Sequence, residues 1–344
     1  MATTNASFRD DADSVLNTLR PVVDAPPVPI DRRVLRVTLR SIALGIAKSF
    51  YVFAPPLSDG STPSTLDEAR ATARDCPTLY LLRGHEREWV HPHEDGSRRG
   101  TAIDVYLRHY QAGRIGPMVL VFPGVTSTDN RVHGMAVDMR APNLAPHTPG
   151  LGSGKFHSYM MDEVVPAVAA LFGTSTDGRQ RGLEGFSLGG YMAATLGAGY
   201  PHLFATVGAF DGTFLYADTR GQRIRSGDRV FRMSMFDPIF GRPRDLAYGA
   251  EHNAANLVLR RPAAMKHILW MLRYGPERSE PMGSNYYRGL YLRDTLEQQG
   301  LTLVNESRLS SVIEDGVHNW ATADRHLSET LPLHWDALRS PSQS

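Results

Sequence analysis

Four short, predominantly apolar runs constrain this chain most: residues 78–82, 118–122, 203–210 and 268–274. Each has strand length, and continuous apolar strands suit a parallel sheet that is covered on both faces. Helix-like segments follow the same rhythm at 102–112, 159–171, 188–199 and 286–299. Alternation of this kind predicts a doubly wound α/β fold, a mostly parallel twisted sheet with helices on both faces. Ahead of it, residues 34–39 alternate like a strand, and 48–53, ending at Pro55-Pro56, read as its partner. Residues 59–75 are polar and turn-rich, a loop with a short helix, and no internal repeat is present.

The segment 1–31 reads as an N-terminal extension, partly flexible, with a Pro-rich connector over 21–29. Residues 32–344 then form one domain. The stretch 214–262, rich in Arg, Gly and Asp, breaks the strand-helix alternation and is expected to be a cap or lid.

Composition narrows the function by exclusion. Lys and Arg total 37 against 36 for Asp and Glu, a net charge of +1, which provides no basic footprint for nucleic acid or an anionic membrane. No apolar run approaches the ~18 residues of a membrane span; the best candidate, 41–54, is interrupted by Lys48. Residues 1–13 lack the basic start and apolar core of a signal peptide. Cys76 is the only cysteine, so no intramolecular disulfide can form. A cytoplasmic protein acting on a small molecule is the expectation.

Gly185-Phe-Ser-Leu-Gly189-Gly190 matches G-x-S-x-G between a strand candidate and a helix rich in small residues. The nucleophilic serine of this motif sits on a strained strand-to-helix turn that tolerates only small neighbours. The bland alternative is a Gly-rich turn whose serine caps the helix. Glu184 is a misfit, an acid where a buried strand prefers an apolar residue. A serine hydroxyl needs a base, usually a histidine oriented by a carboxylate, and in this fold the order is Ser, acid, His. His318, in the turn-like Glu314-Asp-Gly-Val-His-Asn-Trp320, is the expected base. His252, His326 and His334 read as surface residues, and His267 as structural. The acid is expected after the 268–274 strand, at Glu277 or Glu280. The oxyanion hole needs two N–H donors, expected from Leu188 and from His85 after Gly84.

At these residues the chain resembles the esterase D family of α/β-hydrolases, which includes S-formylglutathione hydrolases, enterochelin esterases, feruloyl esterases and mycobacterial mycolyltransferases. Thr78-Leu-Tyr-Leu-Leu-Arg-Gly84 resembles the family's YLLHG turn, Tyr159-Met-Met-Asp-Glu-Val-Val-Pro166 its ELIP helix, and 183–191 with Tyr200-Pro-His-Leu-Phe204 its GFSMGG and hPdlF. The resemblance covers residues 33–338. It implies an α/β-hydrolase fold and a triad of Ser187, His318 and an acid in 277–280. Glu280-Pro-Met resembles the enterochelin esterase acid segment and favours Glu280. It also supports His85 as oxyanion donor. Arg83 replaces the usual His, Val317 the usual Gly, and residues 1–31 have no counterpart.

Two other motifs carry no chemistry. His91-Pro-His93-Glu-Asp95 matches no zinc spacing and reads as a solvated loop. Gly150-Leu-Gly-Ser-Gly-Lys155 fails the phosphate-loop pattern at Pro149 and Phe156. The expected function is a serine-dependent carboxylic-ester hydrolase forming an acyl enzyme on a small-molecule ester, with no cofactor or metal. An acyltransferase using an alcohol acceptor is the alternative, and a non-catalytic binding protein a third. Arg220, Arg223, Arg225, Arg229 and Arg232 of the cap point to an anionic or polar substrate.

Overall fold

The computed structural model describes residues 14–212, 233–280 and 283–339. Eight strands form one sheet: β1 (Val22–Asp24), β2 (Leu35–Arg40), β3 (Ala47–Phe53), β4 (Thr78–Leu82), β5 (Val119–Phe122), β6 (Arg181–Phe186), β7 (Thr206–Phe210) and β8 (Leu269–Arg273). Their order is β1-β2-β3-β5-β4-β6-β7-β8. Strands β5, β4, β6, β7 and β8 run parallel, and β1, β2 and β3 add antiparallel strands at one side. All four apolar runs contain a central or parallel strand.

Among the described residues, the helices that flank the sheet include α1 (Leu66–Ala73), α2 (Ala102–Gln111), α3 (Val165–Phe172), α4 (Leu188–Gly199), α5 (Ala254–Arg260), α6 (Tyr286–Gln298) and α7 (Trp320–Leu338). The strand period of two divides the core. Tyr80 and Leu82 join Leu183, Val207 and the inner residues of α3, α4 and α5. Leu79 and Leu81 point to the other face, with Phe186, Phe210 and the inner residues of α2 and α7. Both faces are therefore dry, as the apolar runs require.

Residues 22–24 of the expected extension pair with β2, and Leu19 and Ile30 are buried. Of the expected cap, 214–232 lie outside the described residues, including all five arginines. The remainder packs inward: Phe236, Ile239, Phe240, Ala254, Ala255 and Val258 belong to the main core.

Candidate active site

Ser187 stands between the end of β6 and the start of α4, at φ 57° and ψ −118°. A left-handed conformation is costly for a residue with a Cβ, by about 1–3 kcal/mol, and persists only where the surroundings impose it. Here the strand ladder imposes it from one side, since Ser187 N–H donates to Phe210 O at 2.9 Å. The helix takes over directly, with Tyr191 N–H donating to Ser187 O at 3.1 Å. Gly189 makes the turn possible: a Cβ there would stand 1.8 Å from Leu82 O of the neighbouring strand.

His318 reaches the elbow from the loop before α7. Its Nε2 is 2.9 Å from Ser187 Oγ, across 131 positions of chain. Its Nδ1 is 2.5 Å from Asp211 Oδ2. The carboxylate accepts the Nδ1 proton, so the Nε2 lone pair faces the hydroxyl. Phe186 supports the imidazole, ring centroids 4.8 Å apart. The Arg83 guanidinium lies over the Phe186 ring, 5.3 Å from its centroid. The loop is anchored by Trp320 N–H, which donates to Asp95 Oδ2 at 3.0 Å, and by Ala321 N–H, which donates to Ser97 Oγ at 3.1 Å. Asp95 thus serves the site as an anchor within the segment read as a solvated loop.

Asp211, immediately after β7, is fully buried and lies at φ 48°. Its Oδ1 accepts from Asn285 N–H at 2.8 Å and Gly275 N–H at 3.2 Å, and its carbonyl accepts from Asn285 Nδ2 at 2.8 Å. This corrects the expected acid. Neither Glu280 nor Glu277 meets His318 in a hydrogen bond. Glu280 Oε1 accepts from Tyr287 N–H at 2.6 Å, satisfying an orphan donor in the first turn of α6. Glu277 is exposed at the surface, and Arg278 pairs with Glu314 instead. The loop after β8 contributes backbone donors to the Asp211 carboxylate rather than a carboxylate to His318. The available sequence signal was the first carboxylate after the strand that follows the elbow, which also satisfies the order Ser, acid, His.

Leu188 opens α4, where first-turn N–H groups have no carbonyl four residues behind them. The second expected oxyanion donor is corrected. His85 N–H donates to Glu88 Oε2 at 2.7 Å, while Glu88 N–H donates back to His85 O at 3.2 Å. This reciprocal turn satisfies the buried Glu88 carboxylate and occupies the donor.

Two histidines read as surface residues are the opposite. His326 and His334 are wholly buried beneath the elbow, bonded to Glu184. His252 is partly buried with Nδ1 2.9 Å from Tyr248 O, and His267 Nε2 lies 2.7 Å from Pro201 O. Among the described residues no three His, Cys, Asp or Glu side chains converge as metal ligands, and no helix is long and apolar enough to cross a membrane.

Residues 65–272, well over half the chain, match the Esterase family model, described as "Putative esterase". The chain belongs to this esterase family. It is a carboxylic ester hydrolase. Solved structures of similar fold include a ferulic acid esterase at 18% identity and TM-score 0.63, covering 88% of this chain and 98% of that one. An S-formylglutathione hydrolase from Agrobacterium tumefaciens aligns at 16% identity and TM-score 0.60, covering 92% and 99%. The enterobactin esterase of Shigella flexneri aligns at 16% identity and TM-score 0.54, over 92% of this chain and 62% of its own. These similarities establish the α/β-hydrolase fold of the esterase. No curated protein matches its sequence.

Proposed function

We propose that the esterase works through an acyl enzyme on Ser187, with His318 as general base and Asp211 as the acid that orients it. The carrying observation is the continuous contact from Ser187 Oγ to His318 Nε2 and from His318 Nδ1 to Asp211 Oδ2. As Oγ attacks the ester carbonyl carbon, His318 Nε2 takes its proton, and the Asp211 carboxylate stabilises the imidazolium. The carbonyl oxygen becomes an oxyanion beside the Leu188 N–H at the positive end of α4, a donor worth about 3 kcal/mol. Collapse expels the alcohol, which takes the proton from His318 and leaves the acyl group on Ser187. Water then attacks the acyl carbon, gives a proton to His318, and the second collapse returns it to Ser187 as the carboxylic acid leaves.

A fluorophosphonate phosphonylates an activated serine, whose Oγ forms a bond to phosphorus as fluoride leaves. Incubation followed by mass-spectrometric mapping is expected to find one adduct, on Ser187, and none in Ser187→Ala. An adduct on another serine, or no adduct in the wild-type chain, refutes the assignment.

A further inference from the structure

Beneath the elbow lies a polar cluster that the ester chemistry above does not use. Glu184, on β6, is fully buried, as are His326, Thr330 and His334. The last three recur every fourth residue along α7, so they share one helix face, turned to the sheet. Glu184 Oε1 accepts from its neighbour's Gly185 N–H at 2.8 Å and from His326 Nε2 at 3.0 Å. Oε2 accepts from Thr330 Oγ1 at 2.7 Å and His334 Nε2 at 3.3 Å. His334 Nδ1 lies 2.7 Å from Thr206 Oγ1 on β7. Four donors, two on each oxygen, use the whole capacity of one carboxylate.

The fold makes room for this group. A Cβ at position 208 on the adjacent strand would stand 2.2 Å from Glu184 Oε2, and the residue there is Gly208. A buried carboxylate is costly unless fully bonded, and an apolar residue would occupy the strand position without that cost. Burial alone would push the Glu184 carboxyl up, yet the His326 and His334 imidazoles hold it well below the ordinary carboxylate range.

The elements so joined are those that carry the reacting side chains. Strand β6 ends at Phe186, next to Ser187, and α7 starts at Trp320, just after His318. A column of rings runs between the cluster and the base: His326 against Phe210 at 5.6 Å, Phe210 against Phe186 at 5.4 Å, and Phe186 against His318 at 4.8 Å between centroids. We propose that Glu184 is a positioning residue, its carboxylate fixing the register of α7 against β6 and thereby the Ser187–His318 distance. The proposal rests on the reading of Ser187 and His318 as nucleophile and base. A misplacement of 1 Å between reacting groups costs about 100-fold in rate, so a clamp between their supports has a kinetic consequence.

The test measures kcat and KM on p-nitrophenyl acetate for wild type, Glu184→Gln and Glu184→Leu, with thermal unfolding fixing the folded fraction. Glutamine keeps the shape: its amide NH2 can face Thr330 and His334, whose imidazole then donates to Thr206 from Nδ1. Glu184→Gln is expected to keep kcat within about fivefold, while folded Glu184→Leu loses about 100-fold in kcat with KM unchanged. A purely structural role would lower the melting temperature and leave kcat per folded molecule unmoved. If Glu184→Leu does not fold, Thr330→Val, which deletes one donor of the four, is read the same way, with a kcat loss of about fivefold or more. A folded Glu184→Leu or Thr330→Val with kcat within twofold of wild type overturns the proposal. Equal losses in the Gln and Leu variants also overturn it, because charge rather than register would then be at work. Fluorophosphonate labelling of wild-type Ser187, run beside these assays, separates a failure of the clamp from a failure of the nucleophile assignment.

Discussion

Asp211 Oδ2 stands 2.5 Å from His318 Nδ1, and this carboxylate projects from the end of β7. The loop beyond β8, where an acid was expected, turns its N–H groups toward the same carboxylate through Gly275 and Asn285. Side chain and loop are thus complementary: the buried Asp211 carboxyl group at the end of one strand, and backbone donors at the end of the next.

In the proposed mechanism Asp211 holds the His318 tautomer and stabilises its cation, and Asp211→Asn would remove that support. By the behaviour of such triads, kcat is expected to fall about 10⁴-fold. Glu280→Gln and Glu277→Gln leave the imidazole contact intact and are expected to stay within about twofold of wild type. Steady-state rates on a short-chain p-nitrophenyl ester decide between the two positions. Loss of activity in Glu280→Gln with retention in Asp211→Asn would reverse the assignment.

Gly189→Ala is expected to fail for steric reasons. The added Cβ would lie 1.8 Å from Leu82 O and 2.8 Å from Arg83 Cα, both backbone atoms. Neither can move without displacing β4 or the turn that follows it. The expected cost is about 3 kcal/mol or more in urea unfolding, beyond ordinary overpacking because backbone must shift. Fluorophosphonate labelling of the residual folded fraction is expected to slow as the elbow opens.

Much of this architecture was legible in the sequence. Thr78–Leu82 and Leu188–Gly199 are bounded as expected, because a run of apolar residues and a Gly-flanked elbow are local signals. The pairing of Ser187 with His318 was legible through motif and order. What stayed hidden depends on contacts between distant segments. Asp211 looks like an ordinary turn residue until Asn285, 74 positions away, bonds it. His326 and His334 look like surface histidines, and Glu184 like a misplaced charge. Each is explained only by the others, 142 and 150 positions apart. The His85 N–H is taken up by Glu88, which folds back onto it, a side-chain choice that backbone patterns do not encode.

His133 gives a pH dependence with a definite sign. Burial, reinforced by the nearby Arg83 cation and only partly offset by Glu88, lowers its imidazole from 6.5 to about 4. Above pH 6.5 both folded and unfolded chains hold it neutral, and its contribution is complete. As the pH falls from 6.5 to 4 the unfolded chain takes up a proton that the folded chain refuses, so stability is lost, approaching about 3 kcal/mol. In His133→Asn this part of the acid slope disappears. Urea unfolding of both proteins between pH 4 and 7 measures it, and parallel stability curves would show that the imidazole is not buried neutral.

Arg98 joins the segment that follows His318 to the body of the esterase, and its removal is expected to cost more than any surface ion pair. The side chain is fully buried, forks onto Asp324 at 2.8 and 2.9 Å, and donates to the carbonyls of Glu88 and Trp89. Its guanidinium carbon lies 4.5 Å from the Trp320 ring and 6.0 Å from the Trp89 ring, whose own centroids are 5.0 Å apart in an edge-to-face pair. Arg98→Ala strands the Asp324 carboxylate in a place where burial already pushes its pKa up against the pull of Arg98. The expected loss is about 3–5 kcal/mol, as for a broken buried pair. Arg98→Ala combined with Asp324→Ala removes the stranded charge and is expected to recover part of that loss, giving a coupling that a double-mutant cycle reads directly. Because Trp320 follows His318 so closely, the single variant is also expected to lower kcat on p-nitrophenyl acetate even at temperatures where it is fully folded. Additive stability losses in the cycle would show that the two side chains act independently.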